Sequence, residues 1–151
     1  MTNATFADLP GMAGTDLGWS SWLEVTQDRI NTFADATDDH QWIHTDPERA
    51  KDGPFGASVA HGFLTLSLAV AFWTELFDVS GVGVKVNYGL DKVRFVSPVL
   101  AGSRVRMNAI IAEVQEVKGG YQLVVDQTIA IDGVERPALV ARGVYRFYGE
   151  A

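Results

Sequence analysis

Residues 60–77 read AHGFLTLSLAVAFWTELF, and this run decides the fold. Its side chains are apolar on nearly every side of a helix, which is typical of a helix buried on most faces. A membrane span needs about 20 predominantly apolar residues. Polar residues interrupt the uncharged stretch around this run, from Pro54 to Thr74. We therefore predict a core helix with a polar entry at His61 and Gly62, and no membrane partner.

The sequence after this helix alternates between apolar and polar residues and predicts antiparallel strands. Lys118-Gly119-Gly120 and Asp132-Gly133 are typical hairpin turns between three of these strands. A long apolar helix followed by such strands predicts an α+β domain, in which an antiparallel sheet wraps around the helix. The predicted strands cover residues 84–88, 93–95, 104–117, 121–131 and 138–148.

Two shorter helices are predicted upstream of the apolar one. Thr26 is a suitable N-cap for the first, which repeats apolar residues at helical spacing and ends near Thr37. Asp46-Pro47 is a start signal for the second, which runs through Ala50. Residues 39–44 therefore form a tight connection between two helices.

The length of 151 residues suits one domain, so residues 1–151 are expected to share a single core. Residues 1–17 are small and polar, and we expect them to be loosely ordered. Residues 19–25 predict an edge strand. The N-terminus carries no basic region followed by an apolar stretch, so it does not resemble a secretory signal, and a cytoplasmic protein is expected.

Composition excludes several classes of function. The net charge of −7 and the pI near 4.8 argue against nucleic acid as a partner, because phosphate backbones attract clusters of Lys and Arg. The absence of cysteine excludes disulfides, thiolate metal sites and cysteine nucleophiles. Gly81-Val82-Gly83 lacks the third glycine of a dinucleotide-binding loop, and no G-x-S-x-G sequence is present.

The densest polar cluster is DDHQWIHTD, at residues 38–46. Carboxylates and imidazoles beside the apolar Trp42 and Ile43 are suited to acid/base catalysis, because a partly desolvated carboxylate and a histidine exchange protons near neutral pH. The alternative is a solvated loop whose acidic residues cap the flanking helices. A metal site is disfavoured, because the Asp46-Pro47 start interrupts any helix that would align His40 with His44.

His61 and Gly62 stand at the head of the apolar helix. A glycine at a helix N-terminus lets a ligand approach free backbone N–H groups, and the helix dipole there favours a developing negative charge. This position is a natural oxyanion site. The alternative is a glycine that is needed only for close packing.

Three segments together resemble the MaoC-like dehydratases, the R-specific enoyl-CoA hydratases. The run FADATDDHQWIHTDPERA at residues 33–50 resembles the family's signature, and AHGFL at residues 60–64 resembles its second motif. KVRFVSPV at residues 92–99, followed by Gly102, resembles the third. The Gln41-Trp42 variant is closest to the subgroup that includes NodN-like proteins and mycobacterial enoyl-CoA hydratases.

The resemblance implies a hot-dog fold, a homodimer, and reversible hydration of a trans-2-enoyl-CoA to a (3R)-3-hydroxyacyl-CoA. Aligned on the signature, Asp39 and His44 would hold and activate one water, and the N–H of Gly62 would stabilise the thioester oxygen. Coenzyme A would be part of the substrate, with no separate cofactor and no metal. Asp38 occupies a position where the family usually has glycine, a departure in a place where backbone conformation matters.

Four further residues are predicted to contact the substrate: Trp42, His61, Phe63 and Arg94. Two rival functions remain open at this point. An acyl-CoA thioesterase would use a lone carboxylate near the long helix, for which Glu75 is the nearest candidate. A non-catalytic acyl-binding protein of the same fold is favoured only by Asp38. The acyl chain length, and the choice between coenzyme A and an acyl carrier protein, do not follow from the sequence.

Overall fold

Four α-helices form within residues 1–150, the part of the chain that the computed structural model describes. Two of them begin at the predicted start signals, and the long apolar helix begins at Gly62, in its predicted polar entry. The side chain of Thr26 accepts a hydrogen bond from the N–H of Arg29 (3.2 Å), and Asp46 does the same for Arg49 (3.0 Å). The helices are α1 (Gln27–Thr37), α2 (Trp42–Thr45), α3 (Pro47–Lys51) and α4 (Gly62–Leu76).

Eight strands and one 3-10 helix (Phe6–Gly11) complete the described part of the chain. The predicted segments 84–88 and 93–95 join into one strand. Of the predicted strand 19–25, only Trp19 and Leu23–Glu24 lie in strands, and they belong to two different short ones. The strands are β1 (Thr2–Thr5), β2 (Thr15–Trp19), β3 (Leu23–Glu24), β4 (Phe77–Ser80), β5 (Val82–Phe95), β6 (Arg104–Val117), β7 (Gly120–Ile131) and β8 (Leu139–Gly149).

The main sheet is antiparallel and has the order β2-β6-β7-β8-β5, with β3 also paired to β6. The two predicted hairpins, β6 with β7 and β7 with β8, are both confirmed. The 14-residue β5 lies at one edge of the sheet, so one row of its backbone groups has no neighbouring strand within the described chain.

The core lies between α4 and the inner face of the sheet. α4 buries Leu64, Leu68, Phe72 and Leu76, which share a core cluster with sheet residues such as Ile129. The fold is therefore the predicted α+β hot-dog arrangement, with an antiparallel sheet around one long apolar helix. No helix among residues 1–150 is long and apolar enough to cross a bilayer.

The expectation that residues 1–17 are loosely ordered is wrong. β1 pairs in parallel with β4, and Leu9 is completely buried in the core cluster. The carboxylate of Asp8 accepts a hydrogen bond from the N–H of Thr5 (2.8 Å), which starts the 3-10 helix. This Thr-x-x-Asp pattern was the available sequence signal. The partner strand β4 lies more than 70 residues further along the chain, so the local sequence pattern does not reveal the pairing.

We expect Leu9→Ala to lower the free energy of unfolding by about 2–5 kcal/mol, because it leaves a cavity in a fully buried site. Urea unfolding followed by circular dichroism measures this change. Val134→Ala is the matched control, since Val134 is 47% exposed and its truncation should cost less than about 0.5 kcal/mol. Equal stabilities of the two variants would mean that the N-terminal segment does not belong to the core.

Candidate active site

Asp39, His44 and His61 converge where the connection between α1 and α2 meets the N-terminus of α4. One carboxylate oxygen or ring nitrogen from each residue lies within 4.8 Å of the others. The two imidazoles are buried, whereas the Asp39 side chain is 51% exposed. The cluster therefore presents one solvent-facing carboxylate above two buried rings.

Asp38 directs the chain into this cluster. It is the C-cap of α1 and has a left-handed backbone conformation, with φ of 57° and ψ of 22°. Helices often end on such a residue, which is usually glycine, and aspartate is among the residues that tolerate it best. Asp38 thus adopts a left-handed conformation that glycine also adopts without strain, and the following Asp39 lies beside the histidines.

His44 is fixed in one tautomer by its neighbour. Its Nδ1 lies 2.6 Å from the carbonyl oxygen of Val59, which can only accept a hydrogen bond. Nδ1 therefore carries the hydrogen. In the neutral ring Nε2 is then left with a free lone pair, which is the form a general base requires.

His61 connects the other two residues. Its Nε2–H donates to the backbone carbonyl of Asp39 (2.9 Å), and its ring stacks on His44 with centroids 3.8 Å apart. Phe33 packs on the His61 ring from α1, at 4.9 Å between centroids. Since His61 is only 2% exposed, its position favours a role in holding Asp39 and His44 rather than the predicted contact with substrate.

The donor set of this cluster, one carboxylate and two imidazoles, is chemically suited to zinc. The geometry fits poorly. The planes of the two imidazoles are 22° from parallel and face each other, so their in-plane lone pairs do not converge on one point. Nδ1 of His44 and Nε2 of His61 donate to backbone carbonyls, so only Nε2 of His44 and Nδ1 of His61 have lone pairs to offer, and these belong to the two stacked rings.

Gly62 is the first residue of α4, where the opening N–H groups of a helix have no partner within the helix. A Cβ at this position would lie 3.1 Å from the ring of Phe95. Both sequence interpretations of Gly62 are therefore compatible with the structure. The glycine allows the close approach of Phe95, and it also stands at a helix N-terminus beside a cavity of about 260 Å³ that Ile43, Val59 and Thr65 help to line.

The remaining predicted contact residues are more scattered. Trp42 lies under the guanidinium of Arg49, 4.3 Å from its ring centroid, and does not line the cavity beside Gly62. Phe63 is 70% exposed and packs edge-on against Phe95. Arg94 is exposed and donates to the neighbouring carbonyl of Val93 (2.8 Å). Their predicted contacts with substrate stay predictions.

Sequence reasoning missed three features of the region. The Val59 carbonyl and the Phe95 ring contact the site directly, and neither carries a chemical signature in the sequence. A second cavity, of about 350 Å³, lies along α4 and is lined in part by Gln127 and Tyr145. Gln127 was detectable as a polar residue in register with the alternating apolar residues Leu123, Val125, Ile129 and Ile131 of the predicted strand 121–131.

Comparisons with known proteins identify the family of the chain. Residues 8–133 match the MaoC like domain family. The 3-hydroxyacyl-thioester dehydratase Z of Mycobacterium tuberculosis is 46% identical over 147 residues, which cover 97% of each chain. Nodulation protein N of Rhizobium leguminosarum is 45% identical over 148 residues, which cover 95% of this chain and 91% of the relative.

A solved structure supports the same assignment. The monoamine oxidase regulatory protein of Archaeoglobus fulgidus superposes with a TM-score of 0.79 at 27% identity, covering 99% of this chain and 98% of the other. The family match spans most of the chain, and the two relatives in sequence span nearly all of it. The chain belongs to the MaoC-like dehydratase family, and it is a hydro-lyase with a hot-dog fold.

Proposed function

We propose that the enzyme catalyses the reversible hydration of a trans-2-enoyl-CoA to a (3R)-3-hydroxyacyl-CoA. The observation that carries this proposal is the approach of the Asp39 carboxylate and the His44 ring to within 4.8 Å. Two hydrogen bonds of about 2.8 Å through one water span up to about 5 Å, so both groups can bind the same water. The name of the M. tuberculosis relative, a 3-hydroxyacyl-thioester dehydratase, agrees with this chemistry.

In the hydration direction the shared water adds across the C2–C3 double bond. Its oxygen bonds to C3 while one member of the Asp39/His44 pair takes its proton. The other member delivers a proton to C2, so that the net result is the addition of H and OH. The free lone pair at Nε2 of His44 makes that atom a suitable proton acceptor. Dehydration is the same sequence in reverse.

Negative charge develops on the thioester oxygen while the new C3–O bond forms. We propose that the N–H of Gly62 donates to this oxygen, assisted by the positive end of the 15-residue α4. The cavity beside Gly62 gives the thioester a place to lie. Arg94 is proposed as a contact for the phosphates of coenzyme A, which enters as part of the substrate, with no separate cofactor and no metal. A cytoplasmic location stays part of the proposal.

The thioesterase alternative is less well supported. Its nearest candidate carboxylate, Glu75, accepts hydrogen bonds from the N–H (2.6 Å) and the hydroxyl (2.9 Å) of Ser21. These bonds attach the end of α4 to the segment between β2 and β3, which is a structural role. The non-catalytic alternative rested on Asp38. That residue adopts a left-handed conformation that glycine also adopts easily, so this observation does not favour the alternative.

We also propose that the enzyme is a homodimer formed through β5. This edge strand is exposed on both faces over most of its length and carries Val84, Val86, Tyr88 and Leu90, each between 38% and 57% exposed. A long, apolar, unpaired edge invites aggregation unless another strand covers it. A second copy that pairs through the same edge would form a closed, two-fold symmetric assembly.

We expect Asp39→Asn and His44→Gln each to lower kcat by about 10²–10⁴-fold, because both keep side-chain size but remove proton exchange near neutral pH. Hydration of crotonyl-CoA, followed by loss of the enoyl absorbance, measures the effect. His40→Gln and Asp38→Gly are the controls and should retain most of the activity. A dead His40→Gln variant beside an active His44→Gln variant would overturn the assignment of His44.

We expect Gly62→Pro to lower kcat by roughly 10²–10³-fold with a smaller effect on KM, because it removes a donor directed at transition-state charge. Gly62→Ala is the matched control, since it places the same Cβ against Phe95 but keeps the N–H. The two variants should therefore differ in kcat. Equal kcat values in folded proteins would remove the Gly62 N–H from the mechanism.

We expect Val86→Lys to convert a dimer into a monomer, because it places a charge in the proposed apolar contact. Sedimentation velocity at micromolar concentration gives the oligomeric state. Val134→Lys introduces the same charge at an exposed valine between β7 and β8 and should leave the dimer intact. A wild-type protein that sediments only as a monomer would refute the dimer.

A further inference from the structure

The larger cavity, of about 350 Å³, runs between α4 and β5. Leu66, Ser67 and Val70 line it from α4, and Asn87 and Leu90 line it from β5. Gln127 and Tyr145, which come from the neighbouring strands β7 and β8, also line it. No charged residue is among the described residues that line this space.

The position of this cavity relates it to the proposed catalytic site. Gly62, Leu66 and Val70 are spaced four residues apart and therefore lie along one side of α4. At 1.5 Å per residue, Val70 lies roughly 12 Å along the helix from Gly62. An acyl chain whose thioester oxygen meets the N–H of Gly62 would reach the middle of the cavity with roughly eight to ten carbon atoms.

Gln127 is an unusual residue for the inner face of this sheet, where its neighbours along β7 are apolar and fully buried. It is only 2% exposed. Its Nε2–H donates to the hydroxyl oxygen of Tyr145 (2.7 Å), while its Oε1 has no hydrogen-bond partner within the described chain. Leaving a buried acceptor unsatisfied destabilises a fold, so an uncompensated amide at this point requires an explanation.

The surrounding residues keep this polar pair in place. A Cβ on Gly143 would lie 2.9 Å from the Tyr145 ring and 3.2 Å from Oε1 of Gln127, so glycine leaves the space that the pair occupies. Trp73 of α4 stacks on Tyr145 with an interplanar angle of 4°. The pair is therefore a rigid polar feature in the wall of the cavity.

Gln127 and Tyr145 together have one donor and one acceptor that are not used within the described chain. The Tyr145 hydroxyl accepts from Gln127 and still has its own hydrogen to donate, and Oε1 of Gln127 is free to accept. Burial raises the pKa of Tyr145, so its hydroxyl stays protonated at neutral pH. One free donor beside one free acceptor complements a neutral group that can both donate and accept, and a hydroxyl is the simplest such group.

We propose that this cavity holds the far part of the acyl chain and that Gln127 and Tyr145 select chains bearing a neutral hydrogen-bonding group, such as a hydroxyl, near their end. The inference rests on the proposed hydration of enoyl-CoA and adds a substrate class to it. A carboxylate-ended chain is disfavoured, because no cation among the residues lining the cavity would balance its charge.

The test compares two series of trans-2-enoyl-CoA substrates, of about six to twelve carbon atoms, that end in CH₃ or in CH₂OH. At the best-fitting length we expect the hydroxyl-ended substrate to have a kcat/KM about tenfold higher than its methyl-ended partner of the same number of heavy atoms. A ratio of one or less at every length in the wild-type enzyme would overturn the proposal.

Failure of the proposed hydration and failure of the proposed hydroxyl selectivity give different results. Absence of crotonyl-CoA hydration by the wild-type enzyme would contradict the proposed function itself. Hydration of crotonyl-CoA without any preference for the hydroxyl-ended series would contradict only the role of the polar pair.

Two variants test whether Gln127 and Tyr145 cause the preference for hydroxyl-ended substrates. Gln127→Met keeps the length of the side chain and Tyr145→Phe removes one atom, and each should bring the ratio close to one. The ratio is internal to each variant, so a general loss of activity does not affect it. A tenfold preference that persists in either folded variant would refute the assignment to that residue.

Discussion

The stacked pair of His44 and His61 is the constraint on which the rest of the site depends. His44 donates to the carbonyl of Val59, 15 residues further along the chain, and His61 donates to the carbonyl of Asp39, 22 residues back. The two bonds join the connection after α1 to the segment that leads into α4, and both donor rings are almost completely buried. In one bond the donor lies in the first segment and the acceptor in the second, and in the other bond these roles are reversed.

This arrangement explains why catalytic groups from different parts of the sequence meet at one helix end. α4 is held in the core by its apolar side chains, so its N-terminus is a fixed point in the molecule. The histidine bonds then place the Asp39 carboxylate and Nε2 of His44 relative to that point. The proposed mechanism needs such fixed distances, because a shared water and an oxyanion donor act on adjacent atoms of the substrate.

The sequence predicted the features that local chemistry specifies. The capping residues Thr26 and Asp46, the hairpin turns and the apolar run at residues 60–77 each carry their own signal, and each element formed within a few residues of its predicted position. The grouping of Asp39 with His44 rested on a resemblance to a known family, and their approach in the structure agrees with it.

Features that depend on distant pairings were not predictable in the same way. Leu9 is buried because β1 pairs with β4. The N-terminal segment contains few apolar residues, and their pattern does not show that β4 is its partner strand. Trp42 packs under the guanidinium of Arg49, a contact that the sequence pattern does not indicate, and its predicted contact with substrate stays a prediction. The contact between Gln127 and Tyr145 requires the register of β7 against β8, which the sequence pattern leaves undetermined.

The proposed mechanism requires that Asp39 and His44 act on one water as a unit. A double-mutant cycle on crotonyl-CoA hydration tests this coupling, using Asp39→Asn, His44→Gln and the combined variant in folded protein. Groups that work as a unit are strongly non-additive, so the account predicts that the combined variant is scarcely slower than the slower single variant. A combined loss equal to the product of the two single losses would mean that the groups act independently, and it would contradict the shared-water mechanism.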